Sequence, residues 1–430
     1  MNYKLRRSDF RCARLANGLE VIAECHPDAY SVGLGLFVGV GARDEPLAWA
    51  GVSHFLEHMA FKGNARFSAE ELNAAFEEIG AFHNAATDEE CTTYHVAVLP
   101  EYWPRALELL GELIKPSFPA DQFELERGVI LEEIAMDLDN PPYAAEDICR
   151  RLYFGPHPLG NSILGSKESI GALRAEDMQR YFLEHYGPDN AALVATGQID
   201  FDQFVRKAEE VFGSWRPCGY RRDVTPPVTF QEYSIIHKPA SKQQYLIHVA
   251  PAPAGLPDWT AMWLLTSILG GHEGGRLYWE LVEPGLVEEI ALAFEEYQGA
   301  AVYCVGMTCE PDRAEENFRR LWDFYRRLPD EPIRDDELEW AKNKVSSGLV
   351  LASEMSIQRL GVVGDDWMLE RRYYSVGELL EMIAAVTPER IAQLIKEYPF
   401  TRGTVVTVGP LKKLAPPPDF PARLCAPVAS

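Results

Sequence analysis

The chain has 430 residues, of which 47% are hydrophobic and 25% charged, as in ordinary globular proteins with room for two or more domains. Its net charge of -24 argues against a nucleic-acid ligand, because the phosphates would be repelled. No apolar run approaches the roughly 18 residues needed to cross a bilayer, and the polar, basic start lacks the apolar core of a secretory signal. We therefore expect a cytoplasmic protein that binds neither nucleic acid nor membrane.

The first elements in chain order are two strands, a helix and a hairpin. Residues 19–23 predict a strand, and residues 31–41, rich in Gly and Val, predict a buried one. Residues 52–62 form an amphipathic, helix-forming stretch. After a Gly-Ala turn, the polar segment 84–87 precedes the β-prone segment 91–99, a pattern typical of a hairpin.

The helix at residues 52–62 contains an H-x-x-E-H motif, with the letters HFLEH. His54 and His58 lie four residues apart on one helix face, so two imidazoles can bind one ion. Glu57 neighbours His58 and can take a proton from water held by that ion. This is the H-E-x-x-H arrangement of zinc proteases in reverse order, the signature of the inverzincins.

A catalytic zinc usually has three protein ligands, so a third is expected elsewhere. The predicted helix at residues 120–137 is rich in acids, and Glu126 and Glu133 lie seven apart on one stripe with apolar neighbours. A carboxylate that faces inward must be paired or bind a metal. Glu133 is therefore the preferred third ligand and Glu126 an outer partner that orients a histidine, with Glu132 as the competitor for the ligand position.

The two halves of the chain repeat one pattern. Residues 175–186 predict a capped amphipathic helix, and residues 190–197 a β-branched strand that ends in Gly. Residues 387–398 and 402–409 repeat this pair. The segment 219–232, rich in Pro, Arg and turn formers, reads as a linker between the halves.

Earlier segments correspond more loosely but in the same order, 31–41 with 244–253 and 120–137 with 335–352, at a spacing of about 212 residues. The expected fold is α+β, with two duplicated lobes, each a mostly antiparallel sheet packed with helices around a cleft. The predicted boundaries are 1–218 for the N-terminal lobe, 219–232 for the linker and 233–430 for the C-terminal lobe. Only the first lobe carries the metal motif; the place in the second half that matches the motif helix, residues 262–280, has a lone His272 in a Gly-rich turn, which is typical of a loop histidine.

The first half resembles the pitrilysin and mitochondrial processing peptidase family of zinc proteases. The resemblance lies in GVSHFLEHMAFKG at residues 51–63, in GAFHNAAT at residues 80–87 and in ERGVILEEI at residues 126–134. The separation of His58 from Glu133 also resembles the spacing between the second His and the distal Glu of that family.

The resemblance implies a zinc endopeptidase with one Zn2+ per chain. It implies His54, His58 and Glu133, rather than Glu132, as ligands, with Glu57 as general base and Glu126 as supporting carboxylate. It also implies that Asn84, Ala85, Ala86 and Thr87 form an edge strand that pairs with the substrate backbone, although the pattern by itself also fits an ordinary polar hairpin.

The second half departs from the family pattern. Self-sufficient members carry an Arg and a Tyr that stabilise the peptide oxyanion. In this chain Arg276 fits that stretch, but Val282 stands at the place of the Arg and Glu288 near the place of the Tyr. Residues 371–374 (RRYY) could supply donors, although a solvated helix end is the simpler interpretation.

The expected function is therefore zinc-dependent cleavage of extended peptides, or of precursor or leader peptides. The expected partner is a homologous subunit that carries the Arg/Tyr pair, so that the two form a heterodimer, with a homodimer as an alternative. The rival interpretations are a non-catalytic scaffold subunit and a zinc hydrolase that acts on a small amide.

Overall fold

The computed structural model describes residues 8–255 and 258–420 and the backbone of residues 423–424. The strands of the first half are β1 (Asp9–Arg14), β2 (Glu20–Cys25), β3 (Val32–Val38), β4 (Phe82–Thr87), β5 (Thr92–Val98) and β6 (Ala191–Gly197). Its helices are α1 (Val52–Ala60), α2 (Ala69–Glu78), α3 (Trp103–Leu113), α4 (Ala120–Asp139), α5 (Pro141–Phe154), α6 (Lys167–Ala172), α7 (Ala175–His185) and α8 (Phe201–Phe212).

The strands of the second half are β7 (Glu232–His237), β8 (Gln244–Pro251), β9 (Glu289–Tyr297), β10 (Ala300–Cys309), β11 (Thr404–Gly409) and β12 (Arg423–Leu424). Its helices are α9 (Trp259–Leu269), α10 (Ala314–Arg327), α11 (Asp335–Ser353), α12 (Ser356–Glu370), α13 (Val376–Ala385) and α14 (Pro388–Glu397). Each strand and helix that the repeat predicted is present, and its ends lie within a few residues of the predicted ones.

The strands form two six-stranded sheets with matching order, β1-β2-β6-β3-β5-β4 and β12-β7-β11-β8-β10-β9. Within each sheet the three pairs at the β4 or β9 end are antiparallel, whereas β2–β6 and β7–β11 are parallel. The sheets differ at the opposite edge, where β1 is antiparallel to β2 but β12 is parallel to β7. The shared order confirms the predicted pair of duplicated, mostly antiparallel lobes.

The chain forms two compact units that do not follow its linear halves. Unit 1 contains the described residues up to Ile134, Asn161–Asp223 and Val350–Gly377, and unit 2 contains Ala135–Gly160, Val224–Leu349 and the described residues from Glu378 onward. Residues 219–231 contain neither helix nor strand, and the chain passes from unit 1 to unit 2 within this segment, after Asp223. The predicted boundaries 1–218, 219–232 and 233–430 therefore describe the repeat, and the compact units cross them.

This crossing follows from the need to cover both faces of each sheet. In unit 1 every residue of β3 and β6 is buried, and α12 packs on one face of these strands. Gly364 of α12 lies against the Phe37 ring, where a Cβ atom would come within 2.1 Å. In unit 2, α5 packs on β8 and β11 in the corresponding way. Each sheet is thus covered by a helix from the other half of the sequence.

None of the described helices is both long and apolar enough to span a membrane. The seven cysteines in the described part of the chain are unpaired, and Cys425 lies outside that part.

Candidate metal centre

The motif helix α1 separates its apolar residues from its polar ones. Phe55, Leu56 and Met59 are buried in the core of unit 1, whereas His54, Glu57 and His58 are half-buried. The helical spacing of these residues produces this division, since positions four apart share a face. The two imidazole rings lie side by side, with centroids 4.6 Å apart.

Helix α4 brings its carboxylates to α1 through an apolar stripe. Phe123 stacks on Phe55 with a centroid distance of 4.6 Å, and Ile130 and Ile134 are buried on the same side of α4. The contact between Phe123 and Phe55 joins α4 directly to α1. The Glu132 side chain is exposed to solvent, whereas its neighbour Glu133 is half-buried and faces the histidines.

Three metal-ligand atoms converge between these helices. Glu133 Oε2 lies 4.0 Å from His54 Nε2 and 3.8 Å from His58 Nε2. Two ligands that each lie about 2.1 Å from one zinc ion are at most about 4.2 Å apart, so both separations are within reach of a shared ion. Two imidazoles and a carboxylate are also the ligand set of many catalytic zinc sites.

The lack of a hydrogen-bond partner for Glu133 Oε2 within the described chain and the lowered pKa of His54 also fit a bound cation. Glu133 Oε2 is buried and has no hydrogen-bond partner among the described residues. A buried, unpaired carboxylate oxygen is costly, and a bound cation removes that cost. Burial, with a smaller contribution from the charge of His58, lowers the pKa of His54 to about 4. His54 is therefore neutral at physiological pH, which is the form that binds a metal.

Glu57 lies beside the ligands and is oriented by the end of β4. The Thr87 hydroxyl donates a hydrogen bond of 2.7 Å to Glu57 Oε2. Burial raises the pKa of the Glu57 carboxyl, and the charge of Glu133 acts in the same direction, whereas Thr87 and His58 lower it. A raised pKa makes this carboxylate a stronger base than an exposed one, as a general base requires.

Glu126 connects His58 to a lysine. Its Oε2 accepts a hydrogen bond of 3.2 Å from His58 Nδ1, and its Oε1 lies 2.7 Å from Lys62 Nζ. Glu126 is only 3% exposed. A carboxylate in this position can fix the orientation and tautomer of a histidine, which is the role expected for Glu126 from the sequence. Lys62 was not singled out from the sequence; it lies two residues beyond the end of α1.

The segment predicted to bind substrate is the last strand of its sheet. Along β4, Asn84 and Ala86 are exposed, whereas Ala85 and Thr87 are buried, so the side chains alternate between solvent and α1. Within the described part of unit 1, β4 pairs with β5 on one side only. Its other edge can therefore accept an added strand.

Comparisons with known proteins identify the family of this chain. Residues 20–167 match the model of the insulinase family, peptidase family M16, and residues 172–345 match the model of the peptidase M16 inactive domain. An uncharacterized zinc protease of Mycobacterium tuberculosis is 30% identical over 407 residues, which cover 93% of each chain. The chain belongs to peptidase family M16.

Two further relatives extend this comparison. The M16 chain is 27% identical over 384 residues to an uncharacterized zinc protease of Bacillus subtilis, covering 89% of this chain and 93% of that one. The fold is similar to the crystal structure of a protease from Helicobacter pylori, with a TM-score of 0.87 and 20% identity over 94% of this chain and 100% of that chain.

In the second half of this M16 chain, Arg276 is bound to a carboxylate of the same unit. Arg276 donates two hydrogen bonds, of 3.0 and 2.8 Å, to the carboxylate of Glu337. Val282 ends a short π-helical turn, and Glu288 accepts a hydrogen bond from Gln243. Neither valine nor an ionised glutamate can donate a hydrogen bond to an oxyanion.

Two of the four alternative donors in residues 371–374 are bound to carboxylates within unit 1. Arg371 Nη1 donates to Glu20 Oε2 at 2.8 Å, and the Tyr374 hydroxyl donates to Glu370 Oε2 at 2.5 Å. His272 lies in a turn, where its Nδ1 accepts the backbone N–H of Gly274.

A second group of possible metal-ligand atoms lies in unit 2, formed by Glu146, Glu295 and Cys304. The guanidinium of Arg150 pairs with Glu295 and lies 3.6 Å from Glu146. Arg150 already interacts with both carboxylates, so this group is explained as a half-buried ion-pair network.

Proposed function

We propose that this M16 chain is a zinc-dependent endopeptidase that cleaves extended, unfolded peptides, including precursor or leader peptides. The convergence of His54, His58 and Glu133 beside Glu57 is the observation that supports this proposal most strongly. It also disfavours a scaffold role, because a structural subunit has no need of a buried, unpaired carboxylate oxygen between two imidazoles.

The chemistry divides between the ion and the side chains. Zn2+ held by the three ligands supplies Lewis acidity for a water molecule and for the scissile carbonyl. Glu57 takes a proton from the water and later gives it to the leaving amine nitrogen. Thr87 holds Glu57 Oε2 in place during these transfers. Glu126 and Lys62 keep His58 in the orientation that presents Nε2 to the ion.

The substrate class follows from β4. A peptide that adds to the free edge of β4 must be extended, since it uses its own backbone N–H and C=O groups for the pairing. Asn84, Ala85, Ala86 and Thr87 would then run alongside the substrate backbone, and Thr87 links the end of that strand to Glu57. Folded proteins lack a free strand of this kind and are expected to be poor substrates.

Activity on this proposal needs a partner. The place of the Arg donor is occupied by Val282, and Arg276 is already bound to Glu337. A homologous subunit that carries the Arg/Tyr pair would complete the oxyanion site in a heterodimer. In a homodimer this pair would still be absent.

Metal analysis combined with a quenched-fluorescence peptide assay tests the proposal. We expect Glu133→Gln to lose zinc and activity together, whereas Glu57→Gln keeps the zinc and loses about 100-fold or more in rate. The matched control is Glu132→Gln, which changes the exposed neighbour of the ligand and should leave both quantities unchanged. Equal zinc content in the wild type and Glu133→Gln would refute the metal centre, and an active Glu57→Gln would refute the catalytic role of Glu57.

A further inference from the structure

The first turn of α1 is capped by a residue from outside the helix. Backbone N–H groups at a helix start have no partner within the helix, and Gly51 at the N-cap has no side chain that could accept from them. Glu45 supplies the acceptors instead. Its Oε2 accepts the Gly51 N–H at 2.6 Å, and its Oε1 accepts the Ser53 N–H at 2.7 Å.

Close packing fixes the backbone of this turn on its other sides. Gly51 has φ +90°, and a Cβ atom there would lie 2.5 Å from the carbonyl oxygen of Leu164. The Ser53 hydroxyl forms a hydrogen bond of 2.8 Å with the Tyr181 hydroxyl. Glu45 itself is 5% exposed, so its two short bonds are shielded from water. The first turn of α1 therefore has little freedom to move as long as Glu45 is in place.

The segment that carries Glu45 is itself anchored. The carboxylate of Asp44, the preceding residue, accepts hydrogen bonds of 2.7 and 2.6 Å from Arg222 and one of 2.7 Å from the Tyr220 hydroxyl. The side chains of Asp44 and Arg222 are almost entirely buried. Glu45 is thus fixed by its hydrogen bonds to the start of α1 and by the anchored residue that precedes it.

The two metal-binding histidines differ in what holds them. His58 Nδ1 is bound to Glu126, whereas His54 Nδ1 is buried without a hydrogen-bond partner in the described residues. A ligating histidine is usually oriented through its second nitrogen. Because His54 has no such partner, its position depends on the backbone that carries it, and His54 directly follows Ser53.

We propose that Glu45 is a positioning residue for the metal centre, which fixes the first turn of α1 and thereby the place of His54. This inference rests on the proposed zinc site but not on peptide cleavage. Removal of the Glu45 carboxylate leaves two buried N–H groups unsatisfied at the start of α1. The helix start can then shift, and the convergence of His54 with His58 and Glu133 is lost in part of the population.

Zinc affinity and thermal stability, measured together, separate positioning from general stabilisation. The zinc dissociation constant is measured by competition with a chelator, and the rise in Tm on addition of zinc by calorimetry, for the wild type, Glu45→Gln and Glu45→Ala. The control is Glu112→Gln, which changes a buried carboxylate of unit 1 bound to Arg66 and Lys115. We expect about tenfold weaker zinc binding in Glu45→Ala, a smaller loss in Glu45→Gln, which keeps one acceptor, and no loss in the control.

The zinc-induced rise in Tm reports the same affinity by linkage and should shrink in the same order. Should Glu45→Ala fail to fold, Glu45→Gln alone carries the test, since it retains the shape of the side chain. Wild-type zinc affinity and a full zinc-induced rise in Tm in the Glu45 variants would overturn the proposal, even if their metal-free Tm is lower. A wild-type chain that binds zinc but cleaves no peptide even when mixed with a homologous subunit that has the Arg/Tyr pair would refute the proposed function and leave this inference standing.

Discussion

Thr87 ends the edge strand β4 with its hydroxyl 2.7 Å from Glu57 Oε2. The strand proposed to bind the substrate backbone is therefore joined by a hydrogen bond to the carboxylate proposed as general base. Thr87 faces inward because side chains alternate along β4, and the exposed Asn84 and Ala86 lie on the opposite face. A shift of the strand by one residue would turn this hydroxyl away from Glu57.

We expect Thr87→Val to keep the zinc and lose about 10-fold in kcat, because a hydrogen bond to a charged group contributes about 1.5–3 kcal/mol and Glu57 loses its orientation. The valine side chain has nearly the same shape, so the strand should be preserved. Peptidase kinetics and metal content measure the two effects. Thr93→Val, on the paired strand β5, is the control; an equal loss of kcat in both variants would contradict a specific role for Thr87.

The contact of Lys62 with Glu126 predicts an effect on metal binding. We expect Glu126→Gln to weaken zinc binding about 10-fold or more, because His58 Nδ1 then donates to a neutral amide. Lys62→Met should weaken it less, since the carboxylate remains. Chelator competition gives both dissociation constants. Glu124→Gln, at an exposed position of α4, should bind zinc as tightly as the wild type, and a similar loss there would show that the helix rather than the contact is affected.

The proposed division of the site between two subunits predicts a low rate for the isolated chain. A single missing oxyanion donor costs about 100-fold or more in kcat, so the zinc-loaded chain alone should cleave a quenched peptide at least that much more slowly than a mixture with a homologous subunit that has the Arg/Tyr pair. A mixture made with Glu57→Gln should stay inactive, which would assign the activity to this chain. Full turnover by the isolated chain would end the proposal of a partner.

His248 on β8 predicts a dependence of stability on pH. It is fully buried, its Nε2 donates to the Arg402 carbonyl, and burial lowers its pKa to about 4. Between pH 6.5 and pH 4 the unfolded chain therefore binds a proton at this site that the folded chain does not bind. Stability is retained above pH 6.5 and falls as the pH drops towards 4, by up to about 3 kcal/mol.

Urea unfolding of the wild type and His248→Gln at pH 7 and pH 4.5 measures this contribution. Glutamine can still donate to Arg402 but does not titrate in this range. The free energy of unfolding should fall less with acidification in the variant, because other titrating groups contribute equally to both proteins. Identical losses in the two proteins would show that His248 is not the cause.

Local patterns in the sequence predicted most of the elements. The periodic spacing of apolar residues placed the motif helix at residues 52–62, against Val52–Ala60 in α1, and the acidic helix at 120–137, against Ala120–Asp139 in α4. The repeat predicted two similar lobes, and the matched strand orders of the two sheets agree with it. These features depend on neighbours in the chain, which a sequence displays directly.

The sequence by itself thus determined that His54 and His58 share one helical face. It also determined that the acidic helix α4 contains candidates for a third ligand. The sequence favoured Glu133 over Glu132, and the tertiary structure places Glu133 beside the imidazoles. Only the tertiary structure showed that Glu45 caps the helix that carries them. It also placed α12 on the first sheet and α5 on the second, against the linear order of the halves. The physical reason is that helix periodicity is fixed by adjacent residues, whereas these contacts depend on how buried surfaces pack between segments far apart in the chain.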